Sequence, residues 1–82
     1  EHRGCIVRGI NMQKYAFPSE AMRVTAKIRY RDEGAPAEIR PLPDGRMEVV
    51  FDVPRRAITR GQSAVWYEGD DVVGGGIIET VM

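Results

Sequence analysis

The chain has 82 residues, enough for one domain without a second core, and a domain of that size buries roughly 60–65% of its unfolded surface, so it has little stability to spare. Hydrophobic residues at 43% and charged residues at 29% exclude a wholly disordered chain. Twelve basic residues cancel twelve acidic ones, which excludes a nucleic-acid binder built on a large positive excess and leaves RNA contact to local patches.

The single Cys5 has no partner for an internal disulfide, and no CxxC or Cys/His cluster is present to hold a metal; both features fit a reducing, cytoplasmic setting. No apolar run approaches the ~18 residues of a membrane span, and the start lacks a signal-peptide pattern. The first residue is Glu1 and not Met, so the chain is expected to be a piece of a longer protein.

In chain order, Cys5-Ile6-Val7 and Ile10 make a short apolar run broken by Gly9, read as an edge strand or the tail of a neighbouring domain. Phe17-Pro18-Ser19 marks a loop, because Pro fixes φ and drives the preceding residue out of the helical region. Residues 1–21 are therefore assigned to a linker or edge segment and 22–82 to the domain itself. Residues 22–31 alternate strictly. Val24, Ala26, Ile28 and Tyr30 share one face, and Arg23, Thr25, Lys27, Arg29 and Arg31 share the other. The first face is expected to be core, the second basic and solvated.

Asp32-Glu33-Gly34-Ala35-Pro36 reads as a turn, and residues 37–40 alternate again. Asp44-Gly45 between two alternating runs is a hairpin signal. Its partner strand runs from 46 to 53 with Met47, Val49 and Phe51 on the core face, and Pro54 is expected to end it. Residues 55–61 form a loop carrying Arg55, Arg56 and Arg60. Residues 62–67 return to strand composition, with Trp66 and Tyr67 on opposite faces. After the turn at 68–71, a last strand is interrupted by Gly74-Gly75-Gly76. About six short strands with turn signals between them predict an all-β fold, a small antiparallel barrel.

Few residues suggest chemistry. Gly74-Gly75-Gly76 lacks the Lys and Ser/Thr that a phosphate loop needs after its glycines, and a strand follows where a helix is required; the glycines are read as a barrel bend or bulge where glycine permits close backbone approach. His2 has no neighbouring partner, and Cys5 reads as a small buried hydrophobe. No triad, metal set or paired carboxylates emerge, so the chain by itself is expected to be non-catalytic. The arginines of the basic strand and of the 55–61 loop suit a phosphate backbone, since guanidinium pairs well with phosphate.

Ala26-Lys27-Ile28-Arg29-Tyr30-Arg31, Gly34-Ala35-Pro36-Ala37, Phe51-Asp52, Ala57-Ile58-Thr59, Gly61-Gln62-Ser63-Ala64-Val65 and Gly74-Gly75-Gly76-Ile77-Ile78 together resemble the C-terminal domain of the tRNA-specific 2-thiouridylase family. The likeness spans residues 22–78. It departs from the family's common pattern at Met12, where a Trp is usual, at Arg60, where Pro is usual, and at Trp66, where Phe is usual. The resemblance implies a parent enzyme, an ATP-dependent sulfurtransferase that thiolates the wobble uridine of certain tRNAs, with its ATP loop and two catalytic cysteines in a domain outside this chain. Cys5 matches neither cysteine. The implied fold is a β-barrel like those of aminomethyltransferases and translation factors. The implied role is to help hold tRNA, with Arg29, Arg31, Arg55, Arg56 and Arg60 as backbone contacts and no cofactor or metal in the chain itself. The implied partners are tRNA and the enzyme's own catalytic and central domains, with a sulfur-relay protein or stand-alone RNA binding as alternatives.

Overall fold

The computed structural model describes residues 1–29 and 31–82. Among them are six strands, β1 (His2–Met12), β2 (Met22–Lys27), β3 (Ala35–Pro41), β4 (Met47–Arg55), β5 (Ser63–Glu68) and β6 (Asp71–Val81). They close into an antiparallel barrel in the order β1-β4-β3-β2-β5-β6. Strand alternation decides what fills it. On β2 and just beyond it Val24, Ala26 and Ile28 point inward, and on β4 Met47, Val49 and Phe51 do the same. Cys5, Val7, Ala37, Ile39, Ile58, Ala64, Trp66, Val73 and Ile78 complete the core. Each large aliphatic side chain so buried contributes roughly 1.5–3 kcal/mol. Every residue expected in the core is thus buried, apart from Tyr30, which lies outside the described residues.

The structure differs from the sequence reading in three places. Residues 2–12, assigned to a linker or edge segment, form β1, which pairs with β4 on one side and β6 on the other and closes the barrel. Gly9 does not break that strand but takes φ +62°, where the pairing with β6 shifts register. β2 stops at Lys27 instead of Arg31, because Asp32 turns the chain back. One of its carboxylate oxygens accepts the Ile28 N–H at 2.9 Å and the other accepts the Gly34 N–H at 2.9 Å.

The third difference is at Pro54, which does not end β4. The strand runs on to Arg55, past a register shift opposite β1 and beyond the last β3 pair at Ala37 and Phe51, where a missing N–H breaks no ladder. Gly74-Gly75-Gly76 does not interrupt β6 but permits the close backbone approach expected of it. A Cβ on Gly74 or Gly76 would collide with the carbonyl oxygens of Asn11 or Arg8 on β1, and one on Gly75 with that of Ala64 on β5. Glycine lets β6 fit between both neighbours.

Candidate nucleic-acid interface

Antiparallel pairing fixes which loops share an end of the barrel. Ala26 faces Ala35, Ala37 faces Phe51, Lys27 faces Val65 and His2 faces Arg55. The 28–34 turn, the 56–62 loop and the start of β1 therefore lie together at one end, and this end gathers the arginines singled out from sequence.

Arg55 points inward. Its Nη2 donates to Asp32 Oδ1 at 2.9 Å, with only 17% of the Arg55 side chain and 4% of the Asp32 side chain exposed. The guanidinium carbon sits 5.3 Å from the centre of the Phe51 ring. Nη1 is buried and has no hydrogen-bond partner among the described residues. Burial pushes the Asp32 carboxyl up, but Arg55 and the N–H groups of Ile28 and Gly34 outweigh that and hold it below its ordinary value. Asp32 was read only as a turn former. Its partner stands 23 residues on in the chain, a pairing with no local sequence signal.

Arg29 is exposed and clamps the loop. Its Nη1 donates to the Arg56 carbonyl at 3.2 Å and lies 3.5 Å from that of Ala57. Ala57 has φ +56°, the left-handed region that a residue with a Cβ rarely adopts. The far end of the loop is tied to β6 by Gly61 N–H to the Ile78 carbonyl and Ile78 N–H to the Gln62 carbonyl, both at 2.8 Å. The structure thus brings Arg29 beside Arg56. Arg60 stands apart, lining a shallow cleft of about 320 Å³ with Arg8 and Glu79. Arg31 is exposed on the 28–34 turn.

Four further cations are held in surface ion pairs. Lys14 pairs with Glu68 and Asp71, Arg23 with Asp52, Arg40 with Glu38 and Glu48, and Arg46 with Asp44 and Glu79. Among the described residues seven cations make no ion pair with a carboxylate: Arg3 and Arg8 on β1, and Lys27, Arg29, Arg31, Arg56 and Arg60 on or beside the 28–34 turn and the 56–62 loop. Solvated guanidinium and ammonium groups gathered at one end suit a polyanion.

Next to the loop, where β2 and β5 share only the pairs Thr25–Tyr67, Ala26–Trp66 and Lys27–Val65, the strands part and leave a groove of about 510 Å³. Lys27, Ile28, Arg29, Gln62, Ser63, Val65 and Tyr67 line it, and Lys27 Nζ stands 4.8 Å from the centre of the Tyr67 ring. Sequence reading split Trp66 from Tyr67, and the structure does so, with Trp66 wholly buried and Tyr67 half-buried on the outside. It did not foresee the groove, since strand separation is a property of the closed barrel. Elsewhere, Cys5 is buried and its thiol is pushed up to about 12, which keeps it protonated and unreactive. Among the described residues no helix is long and apolar enough to cross a membrane.

Comparison with known proteins adds the lineage. The aminomethyltransferase beta-barrel domain family matches residues 2–78. The chain is 63% identical over 60 residues to the tRNA-specific 2-thiouridylase MnmA of Acetivibrio thermocellus, covering 73% of this chain and 17% of that protein. It is 47% identical over 75 residues to the MnmA of Nostoc sp. strain PCC 7120, covering 92% and 21%. It is 57% identical over 77 residues to the MnmA of Clostridium botulinum strain Alaska E43, covering 94% and 21%. The chain spans about a fifth of the length of the curated relatives it matches. With a barrel matched over nearly its whole length and the 2-thiouridylases as relatives, the chain belongs to the aminomethyltransferase beta-barrel domain family, as the C-terminal barrel of the MnmA type.

Proposed function

We propose that this barrel is the part of an ATP-dependent tRNA 2-thiouridylase that helps to hold tRNA while the wobble uridine is thiolated, and that it contributes no reacting group. ATP and the catalytic cysteines belong to the parent enzyme's other domains. The observation that carries this reading is that five of the seven cations free of carboxylate partners among the described residues, Lys27, Arg29, Arg31, Arg56 and Arg60, lie on or beside the 28–34 turn and the 56–62 loop, while salt bridges neutralise Lys14, Arg23, Arg40 and Arg46. Arg29, Arg31, Arg56 and Arg60 serve as backbone contacts that position the RNA without reading its sequence. Arg55, already committed to Asp32, sets the direction in which the loop leaves β4.

The test is tRNA affinity of the full-length enzyme at several salt concentrations with Arg56→Gln and Arg60→Gln combined. Losing two phosphate contacts should weaken binding and flatten the plot of log K against log salt by about 1.5–2. An unchanged slope and affinity would remove the loop from the interface.

A second reading rests on one observation: β1 starts beside Arg55, at the same end as the loop. Polypeptide preceding the barrel would enter there, and the end would then dock the enzyme's other domains or a sulfur-donor protein. That reading expects the double Gln variant to lower stability or sulfur transfer at unchanged tRNA affinity.

A further inference from the structure

The groove between β2 and β5 differs from the arginine loop in a way that charge alone does not explain. It joins cations to an aromatic ring and to neutral hydrogen-bonding side chains in one concavity. Lys27 and Arg29 supply charge, Tyr67 a ring, Val65 an apolar wall, and Gln62 and Ser63 an amide and a hydroxyl, with no carboxylate in the lining. Gln and Ser can each both donate and accept. Its volume of about 510 Å³ falls within the ~300–1,000 Å³ of small-ligand sites.

A bare phosphate backbone needs only the cations. A protein side chain would find little reason for unpaired charge around a ring. A nucleotide uses all of it: phosphate on Lys27 and Arg29, base against Tyr67, and base edge or ribose hydroxyls on Gln62 and Ser63. The Lys27 ammonium stands 4.8 Å from the centre of the Tyr67 ring, with no carboxylate in the lining to compete for it.

We infer that this groove is a subsite for one unpaired nucleotide of single-stranded or looped RNA, adjoining the backbone contacts of the 56–60 segment. The inference rests on the proposed contact of the barrel with RNA and adds to it a base-stacking position. A duplex, whose bases are already stacked, cannot offer such a nucleotide without opening.

The test is an amide NMR titration of the 82-residue chain with hexauridylate, with a blunt RNA duplex and with inorganic phosphate. Hexauridylate should move the Ile28, Ser63, Val65 and Tyr67 amides saturably, and the duplex should not. Tyr67→Leu should weaken hexauridylate binding about 5- to 100-fold, the range for loss of one base–aromatic stack, and Tyr67→Phe should preserve it within about twofold. Lys27→Met should flatten the salt slope by about 0.7, the single-strand value for one phosphate contact.

Unmoved groove amides, wild-type affinity in Tyr67→Leu, or the same shifts from inorganic phosphate at equal concentration would overturn the subsite. The two readings fail separately. If the groove amides stay still while the loop arginines of the full-length enzyme still govern tRNA affinity, the subsite falls and the RNA contact stands. If tRNA affinity ignores the loop arginines, the broader reading falls whatever the groove does.

Discussion

Asp32→Asn tests the reasoning about the arginine-bearing end most directly, because the change keeps size and shape and alters only charge and one acceptor. Asp32 Oδ1 accepts from Gly34 N–H and Arg55 Nη2, and Oδ2 accepts from Ile28 N–H. An Asn amide has one oxygen. Placed at Oδ1 it keeps two donors, and its NH₂ then faces the Ile28 N–H, which loses its partner at a cost of about 1–3 kcal/mol. Replacing the charged acceptor beside Arg55 by a neutral one removes about 1 kcal/mol more. The sum, about 2–4 kcal/mol, sits slightly below the ~3–5 kcal/mol for breaking a fully buried pair, as befits an arginine that keeps 17% of its side-chain surface.

An 82-residue domain has a total stability of about 4–12 kcal/mol, so the thermal midpoint should fall by roughly 10–25 °C. Urea and thermal unfolding, followed by circular dichroism and by the fluorescence of Trp66, measure both quantities. pH gives a second readout. Because the folded-state pKa of Asp32 lies below its ordinary value, the stabilisation is full above the unfolded value of ~3.9 and disappears as pH falls through the folded value. The gap between wild type and Asp32→Asn should be flat from pH 5 to 8 and close in acid. A loss under about 1 kcal/mol, where buried networks usually cost more, or a gap that persists in acid, would refute the account.

Two smaller predictions concern packing. Gly75→Ala places a Cβ against the Ala64 carbonyl oxygen of β5, so it should lower stability by about 1–3 kcal/mol, whereas a phosphate-loop role would show no such loss of fold. Cys5, buried with its thiol pushed up to about 12, should react with a thiol reagent at pH 8 on the order of 1,000-fold more slowly in the native chain than in urea; equal rates would place it outside the core.

What was legible in the sequence is what local pattern encodes. The two-residue alternation of Val24, Ala26 and Ile28 against Arg23, Thr25 and Lys27 specified a face, and the barrel uses that face. The Asp44-Gly45 turn was equally local, with Gly45 at φ +90°. What pattern does not encode is the partner across space. β1 looked peripheral because its apolar run is short and contains Gly9, yet closure gives it a neighbour on each side. Likewise Arg55 is indistinguishable from Arg56 in sequence. Strand alternation and the reach to Asp32 turn one inward, while the other stays exposed on the loop.

The same distinction changes what a net charge of zero means here. Balanced composition, read as a sum, argues against polyanion binding, but charges screen one another over only ~8 Å at physiological salt. The barrel measures 30 × 28 × 20 Å. Glu68, Asp70 and Asp71 sit at the far end of β5 from Gln62 and Ser63, a strand of six residues and therefore ~17–20 Å away. At that separation the acidic end does not neutralise Lys27, Arg29, Arg31, Arg56 and Arg60, and its own Lys14 is already held between Glu68 and Asp71. The local field at the arginine-bearing end is therefore set by the charges within that end, which a net charge of zero conceals.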